Sequence, residues 1–341
     1  MNKLLATAVF CCIYSFPFSQ KAIPVVEVLT KDYKTSLRGL SAVTDNIVWV
    51  SGSNGTVGKT TNGGNTWQWF TVKGFEKNDF RDIEAFDAST AIIMAVGTPA
   101  YILKTSDGGE TWKTVYENNT KGMFLDAMDF FDNQNGIVVG DPINNKFFIA
   151  TTPDGGNTWK EIPLQQVAAA DSGEALFAAS GTNIRMLNEH DHVFVTGGLI
   201  SRFFRNDKDR KLPVLQGKET TGANSIAVLR RNLFRNKKMI VVGGDFNAPA
   251  SDTLNCFYTR NAGKSWKAPA KLPAGYRSSV EYVTKKEAIS CGLSGVDYSF
   301  DGGKRWQQIS KEGFHACRKT KTGSAIFLAG SNGKIGKILF R

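Results

Sequence analysis

"TSDGGETWK" (105–113) is a short polar stretch ending in a tryptophan, and the chain writes it repeatedly. Its variants are "TTNGGNTWQ" (60–68), "TPDGGNTWK" (152–160), "TRNAGKSWK" (259–267) and "SFDGGKRWQ" (299–307), which share the form [ST]-x-[DN]-x-G-x-x-W. Each residue type has a mechanical part in a tight hairpin. Asn62, Asp107, Asp154, Asn261 and Asp301 cap backbone N–H groups a few residues on, and the glycine accepts a positive φ without a Cβ clash. Trp67, Trp112, Trp159, Trp266 and Trp306 then bring large apolar rings to the next strand.

The tryptophans are spaced by 45, 47, 107 and 40 residues, so the long step holds two periods. One unit has lost its turn, and "SRFFRNDKDRKL" (201–212) stands in its place. A second signal supports this count, because apolar strands ending in glycine recur: "VWVSG", "IMAVG", "GIVVG", "VFVTG", "MIVVG", "AISCG" and "IFLAG", closing at Gly52, Gly97, Gly140, Gly197, Gly243, Gly292 and Gly330. A period of this length with several short strands describes a four-stranded propeller blade. The last unit has room for three strands, and "PVVEVLTK" near the N-terminus offers the fourth. The expected fold is therefore all-β, a seven-bladed β-propeller closed by the N-terminal strand, which leaves no open sheet edge. Helical periodicity is confined to a turn or two within 164–180.

"MNKLLATAVFCCIYSFPFSQ" has a lysine, a short apolar run and small residues near Ser19, the pattern of a secretory signal. This gives a signal peptide over 1–19, one propeller domain over 20–341, and a periplasmic or secreted protein whose mature chain has no transmembrane segment. Cleavage removes Cys11 and Cys12 and leaves Cys256, Cys291 and Cys317, read as buried free thiols, with a Cys291–Cys317 bridge as the alternative. The formal charge is +11, and only Lys3 lies in the signal, so 41 basic residues face 31 acidic ones in the mature chain. That balance favours an acidic protein segment or anionic glycan as partner, and export disfavours nucleic acid. "LRRNLFRNKK" (229–238) is read as a solvated basic turn.

The repeated turns resemble Asp-boxes, or bacterial neuraminidase repeats, which occur in sialidases, some endoglucanases, sortilin-like receptors and the photosystem II stability/assembly factor propellers. The single ring, the T-x-D-G-G-x-T-W form and the segments "SLRGLSAV", "DFRDIEAF" and "GYRSSVEYV" make the last family the best likeness, over 24–341. The resemblance implies a non-catalytic binding platform that helps to assemble or stabilise a membrane protein complex, here one of the envelope.

In such a ring the first strand of each blade lines the central channel, and the repeated turns lie on the face opposite the mouth. Function is then expected at the mouth, on Arg38, Arg81, Arg277, Arg318, His315 and Asp126, with bidentate arginine contacts to carboxylates. The other reading of these charges is that they pair with one another between blades, with Asp82, Glu84 and Asp126 neutralising the arginines. The alternative is a sialidase-like or other glycoside hydrolase using Asp82, Glu174, Tyr276 and Glu281. The sialidase Arg-Ile-Pro signature is missing, since "KAIPVV" (21–26) has alanine in place of arginine. An oxidoreductase finds no C-x-x-C and no G-x-G-x-x-G, and no cofactor or metal is expected. The spacing of His190 and His192 would suit a metal on a strand face, but it also suits a polar turn. The stretches 140–147 and 244–253 are read as long loops walling the mouth.

Overall fold

The computed structural model describes residues 22–229 and 237–341. The expected signal region and most of the basic turn 229–238 lie outside the described residues. Seven antiparallel sheets contain the inner strands Leu37–Ala42, Phe80–Ala85, Leu125–Phe130, Ile184–Met186, Thr221–Val228, Ser279–Tyr282 and Ala316–Lys319, which define blades 1 to 7 in chain order. Each inner strand packs on the next, and that of blade 7 packs on that of blade 1, so the ring is closed. Blade 7 takes its outer strand from Pro24–Thr30, which pairs antiparallel with Ile335–Phe340 through partners such as Val26 and Ile338.

The core is distributed. Each of the seven hydrophobic clusters spans two neighbouring blades, as where Trp49 and Val57 of blade 1 meet Phe80 and Ile93 of blade 2. Alternating β-branched and aromatic strands bury both faces, and a fully buried apolar side chain contributes about 1.5–3 kcal/mol.

The five repeated turns join strands 3 and 4 and share one hydrogen-bond scheme. In the turn after Ala100–Thr105, Thr105 Oγ1 accepts the Gly109 N–H at 3.1 Å, and Asp107 Oδ1 accepts the Thr111 N–H at 3.0 Å. Thr60 and Asn62, Thr152 and Asp154, Thr259 and Asn261, and Ser299 and Asp301 do the same. The rings differ in depth, since Trp306 is buried whereas Trp67, Trp112, Trp159 and Trp266 are half-buried. In blade 4 the strands Arg202–Arg205 and Lys208–Lys211 meet across a two-residue turn with Asn206 at φ 54°, which replaces the lost motif.

Two expectations need correction. The stretch 140–147 is mostly a hairpin, because Gly136–Ile143 and Lys146–Thr152 extend to a tight Asn144–Asn145 turn whose residues both adopt positive φ. The helical reading of 164–180 reduces to one 3-10 turn, Leu164–Gln166.

Candidate functional site

The face holding the links between blades and the turns from strand 2 to strand 3 is called upper, and the face of the repeated turns lower. Inner strands start at the upper face. In blades 1, 2, 3 and 5 the register of the inner strand slips near its start, between Leu37 and Gly39, Phe80 and Asp82, Leu125 and Ala127, and Ala223 and Ser225. Such bulges re-aim one side chain. Here the bulged residues are Arg38, Arg81, Asp126 and Asn224.

Glycine contacts fix which residues are equivalent. A Cβ on Gly52, Gly140 or Gly292 would fall 2.5, 2.4 or 2.1 Å from the carbonyl oxygen of Ser36, Phe124 or Tyr276. Two residues on from these stand Arg38, Asp126 and Ser278. Arg277 therefore falls at the position of Leu37 and Leu125, which point into the blade wall. It is wholly buried, its Nε donates to Asp297 Oδ2 at 2.6 Å, and its other N–H groups reach the Tyr276 and Ala274 carbonyls and Ser294 Oγ at 2.8 Å. This arginine is part of the wall and is not presented to the mouth.

The channel is filled by the protein's own chain. The segment 176–183, leading into blade 4, crosses it and is held from six blades. Arg38 Nη1 donates to the Ala179 carbonyl (3.3 Å), Arg318 Nη2 to the Gly181 carbonyl (3.1 Å), and the Leu176 N–H to Asp141 Oδ1 (2.8 Å). Ser180 Oγ donates to the Ser278 carbonyl (2.7 Å), and the Thr182 and Ser225 hydroxyls bond at 2.6 Å. Gly181, at φ +63°, lies against Asp82 of blade 2, where an added Cβ would be 2.2 Å from the carboxyl carbon. Asp82 is buried and accepts the Ile83 and Met128 N–H groups, and burial pushes its carboxyl up to about 8.

This strap separates two mouths. The upper one gathers Arg38, Arg81 and His315. Arg81 Nε pairs with Asp79 Oδ2 at 2.8 Å, whereas Arg38 has no carboxylate within ion-pair distance among the described residues. His315 bonds Ser331 Oγ at 2.9 Å, and burial, then the nearby Arg38 and Arg81, hold its imidazole down at about 3, hence neutral at physiological pH. Asp126 is buried below this cluster, and burial together with Asp141 pushes its carboxyl well up. Tyr276 Oη donates to Asn224 Oδ1 at 2.8 Å, and Phe246, from the stretch 244–253, stacks edge-on over Tyr276 and Phe177.

The lower mouth is a cavity of ≈ 560 Å³ whose charges are balanced by its own chain. Glu281 lies 3.7 Å from Arg185 and 3.6 Å from Arg318, Arg185 is 3.8 Å from Asp129, and Lys321 pairs with Glu84. Arg318 thus belongs to the lower end, apart from Arg38 and Arg81. Arg185 was invisible in the sequence because blade 4 lacks its motif and its inner strand is short.

Glu174 lies on no inner strand. It sits in a short strand, Glu174–Ala175, paired with Gly197–Gly198, and its buried carboxylate is held by Arg202 and Thr196. The four residues of the hydrolase alternative are therefore dispersed: Tyr276 at the upper mouth, Asp82 against the strap, Glu281 below and Glu174 in the wall. His190 is exposed at its turn, and His192 stacks on Phe194 with centroids 6.3 Å apart. Cys256, Cys291 and Cys317 are buried free thiols.

A sequence model of the photosynthesis system II assembly factor YCF48 matches residues 19–121 and 69–198, just over half of the chain. The chain belongs to the YCF48 family. Its fold is similar to a structure of YCF48 bound to D1 peptide, with TM-score 0.62 and 17% identity over 96% of this chain and 100% of the other. YCF48 from Cyanidioschyzon merolae aligns at TM-score 0.58 and 15% identity over 92% and 98% of the two chains. The Pan2 WD40 domain of Neurospora crassa aligns at TM-score 0.58 and 13% identity over 94% of each. No curated protein sequence matches the chain.

Proposed function

We propose that the protein is an exported, non-catalytic binding platform that receives an acidic segment of a partner protein at its upper mouth and serves the assembly of an envelope complex. The observation that carries this reading is Arg38, a largely buried guanidinium with no carboxylate partner among the described residues, beside a half-paired Arg81. Burial, then the proximity of Arg81, lowers the Arg38 pKa, and the nearby Asp79 offsets only part of that. A carboxylate arriving there offsets that repulsion and accepts bidentate hydrogen bonds. Membership of the YCF48 family supports a binding role, as does the relative that was captured with a peptide.

Photo-cross-linking tests the place of contact. A benzoylphenylalanine in place of Phe246, on the upper rim, is expected to cross-link an envelope protein through a segment rich in Asp and Glu. The same group in place of Lys321, at the lower mouth, is expected to give none. Cross-links from the lower position alone would contradict the reading.

A further inference from the structure

We propose that the cleft between blades 5 and 6 on the lower face binds an anionic saccharide. Three other clefts of this face are closed by lysines. Lys59, at the end of strand 3 in blade 1, donates through Nζ to the Gly108 carbonyl of blade 2 at 2.7 Å. Lys104 of blade 2 donates to the Gly155 carbonyl of blade 3 at 2.8 Å, and Lys337 of blade 7 reaches the Gly63 carbonyl of blade 1 at 3.4 Å. Gly63, Gly108 and Gly155 hold the same place in the repeated turn, so one device seals three clefts: a lysine of one blade caps the turn of the next.

Among the described residues the device is absent at the turns of blades 5 and 6, on the carbonyls of Ala262 and Gly302. Tyr258 stands where blades 1 and 2 have Lys59 and Lys104, immediately before the threonine of the turn. The equivalent carbonyl, that of Gly302 in blade 6, has no side-chain cap among the described residues. A groove of ≈ 470 Å³ opens there, a size that suits a small ligand.

Its lining sets the chemistry. Lys238, Arg260, Lys285, Lys286 and Lys304 face the groove against a single carboxylate, Asp301. None of the five cations forms an ion pair among the described residues, unlike Arg318, Arg185 and Lys321 at the lower mouth. Among the described residues the groove is thus a lower-face site where positive charge outnumbers its counter-charge. Tyr258 and Tyr282 supply ring surface between the cations. The Gly302 carbonyl, without a side-chain cap among the described residues, can accept from a ligand donor in addition to the anion held by the lysines. A sugar bearing carboxylate or sulfate meets all three demands: its charge pairs with the lysines, a hydroxyl donates to Gly302, and its C–H face packs on the rings.

Titration calorimetry with a heparin-derived tetrasaccharide and with tetragalacturonate tests this, the two probes separating sulfate from carboxylate. At least one is expected to bind, with affinity falling as salt rises from about 50 to about 500 mM, while neutral cellotetraose does not. Tyr258→Lys installs the cap of the three sealed clefts and is expected to weaken binding by about tenfold or more, one step of about 1.4 kcal/mol. Lys285→Glu with Lys286→Glu, both exposed, is expected to do the same without altering the fold. Arg38→Glu with Arg81→Glu is expected to leave saccharide binding unchanged, so this site and the upper mouth fail or hold separately. No binding of either probe, equal binding by the groove variants, or equal binding of cellotetraose or polyglutamate would overturn the proposal.

Discussion

Arg277 and Arg38 stand one position apart in the repeat, and that single step decides whether a guanidinium joins the wall or meets the channel. Arg277 is paired with Asp297 in full burial, so removing it leaves an uncompensated carboxylate. Arg277→Ala is expected to destabilise the protein by about 3–5 kcal/mol, measured by chemical denaturation, whereas Arg38→Ala, which loses one hydrogen bond to the strap and no ion pair among the described residues, should cost less, about 0.5–1.5 kcal/mol. Asp82 gives a second test. Its native pKa, about 8, lies above the ordinary carboxylate value, so the folded state binds the extra proton. Stability from this group is present at low pH and is lost as pH rises through about 8. His315, held at about 3, works the opposite way, but only below its ordinary value of 6.5. Melting temperature is therefore expected to decline between pH 6.5 and 8, and Asp82→Asn should reduce that slope; an unchanged slope would contradict the assignment. The arginines as a class were legible in the sequence. Arg277 was misplaced because "GYRSS" reads like "DFRDI" until it is counted back from Gly292, when Ser278 takes the place that Arg38 and Asp126 hold before Gly52 and Gly140.

At the scale of turns and strands, the repeated motif is scaffold, and its tryptophans are unequal. Trp306 is 1% exposed and packs with Ile240 and Tyr282 between blades 5 and 6. Trp306→Ala is expected to cost about 3–5 kcal/mol, and Trp112→Ala, at a half-buried ring, distinctly less. Thermal unfolding of the two variants side by side checks the order, and equal losses would contradict it. The motif and the strand-ending glycines were readable because each is a local solution: a side chain capping its own turn, and a glycine where two backbones nearly touch. The strap across the channel was not. "LFAASGTN" (176–183) has no periodicity, and its conformation is specified by Arg38, Asp141, Ser225, Ser278 and Arg318, which reach it from distant parts of the chain. The lysine caps were hidden for the same reason, since each bond joins neighbouring blades.

The whole molecule is a ring whose last blade is completed by its first strand. Val26 packs in the blade 6–7 cluster and Leu29 against the blade 7–1 cluster, so the closing strand ties the two ends of the chain together. Removing residues 22–31 exposes the Ile335–Phe340 edge and is expected to lower the melting temperature sharply or cause aggregation; a melt unchanged within a degree or two would contradict closure. The seven-fold count and the closing strand were legible because repetition multiplies a weak signal. The division of charge between two mouths was not, because it depends on which end of each inner strand a side chain occupies. The proposed role depends on that division, and charge reversal tests it most directly. Capture of the proposed envelope partner is to be compared for the intact protein, Arg38→Glu with Arg81→Glu, and Arg318→Glu, with circular dichroism confirming that each is folded. The account predicts that the upper-mouth double variant loses the partner while Arg318→Glu retains it. Retention by the double variant, with loss in Arg318→Glu, would contradict it.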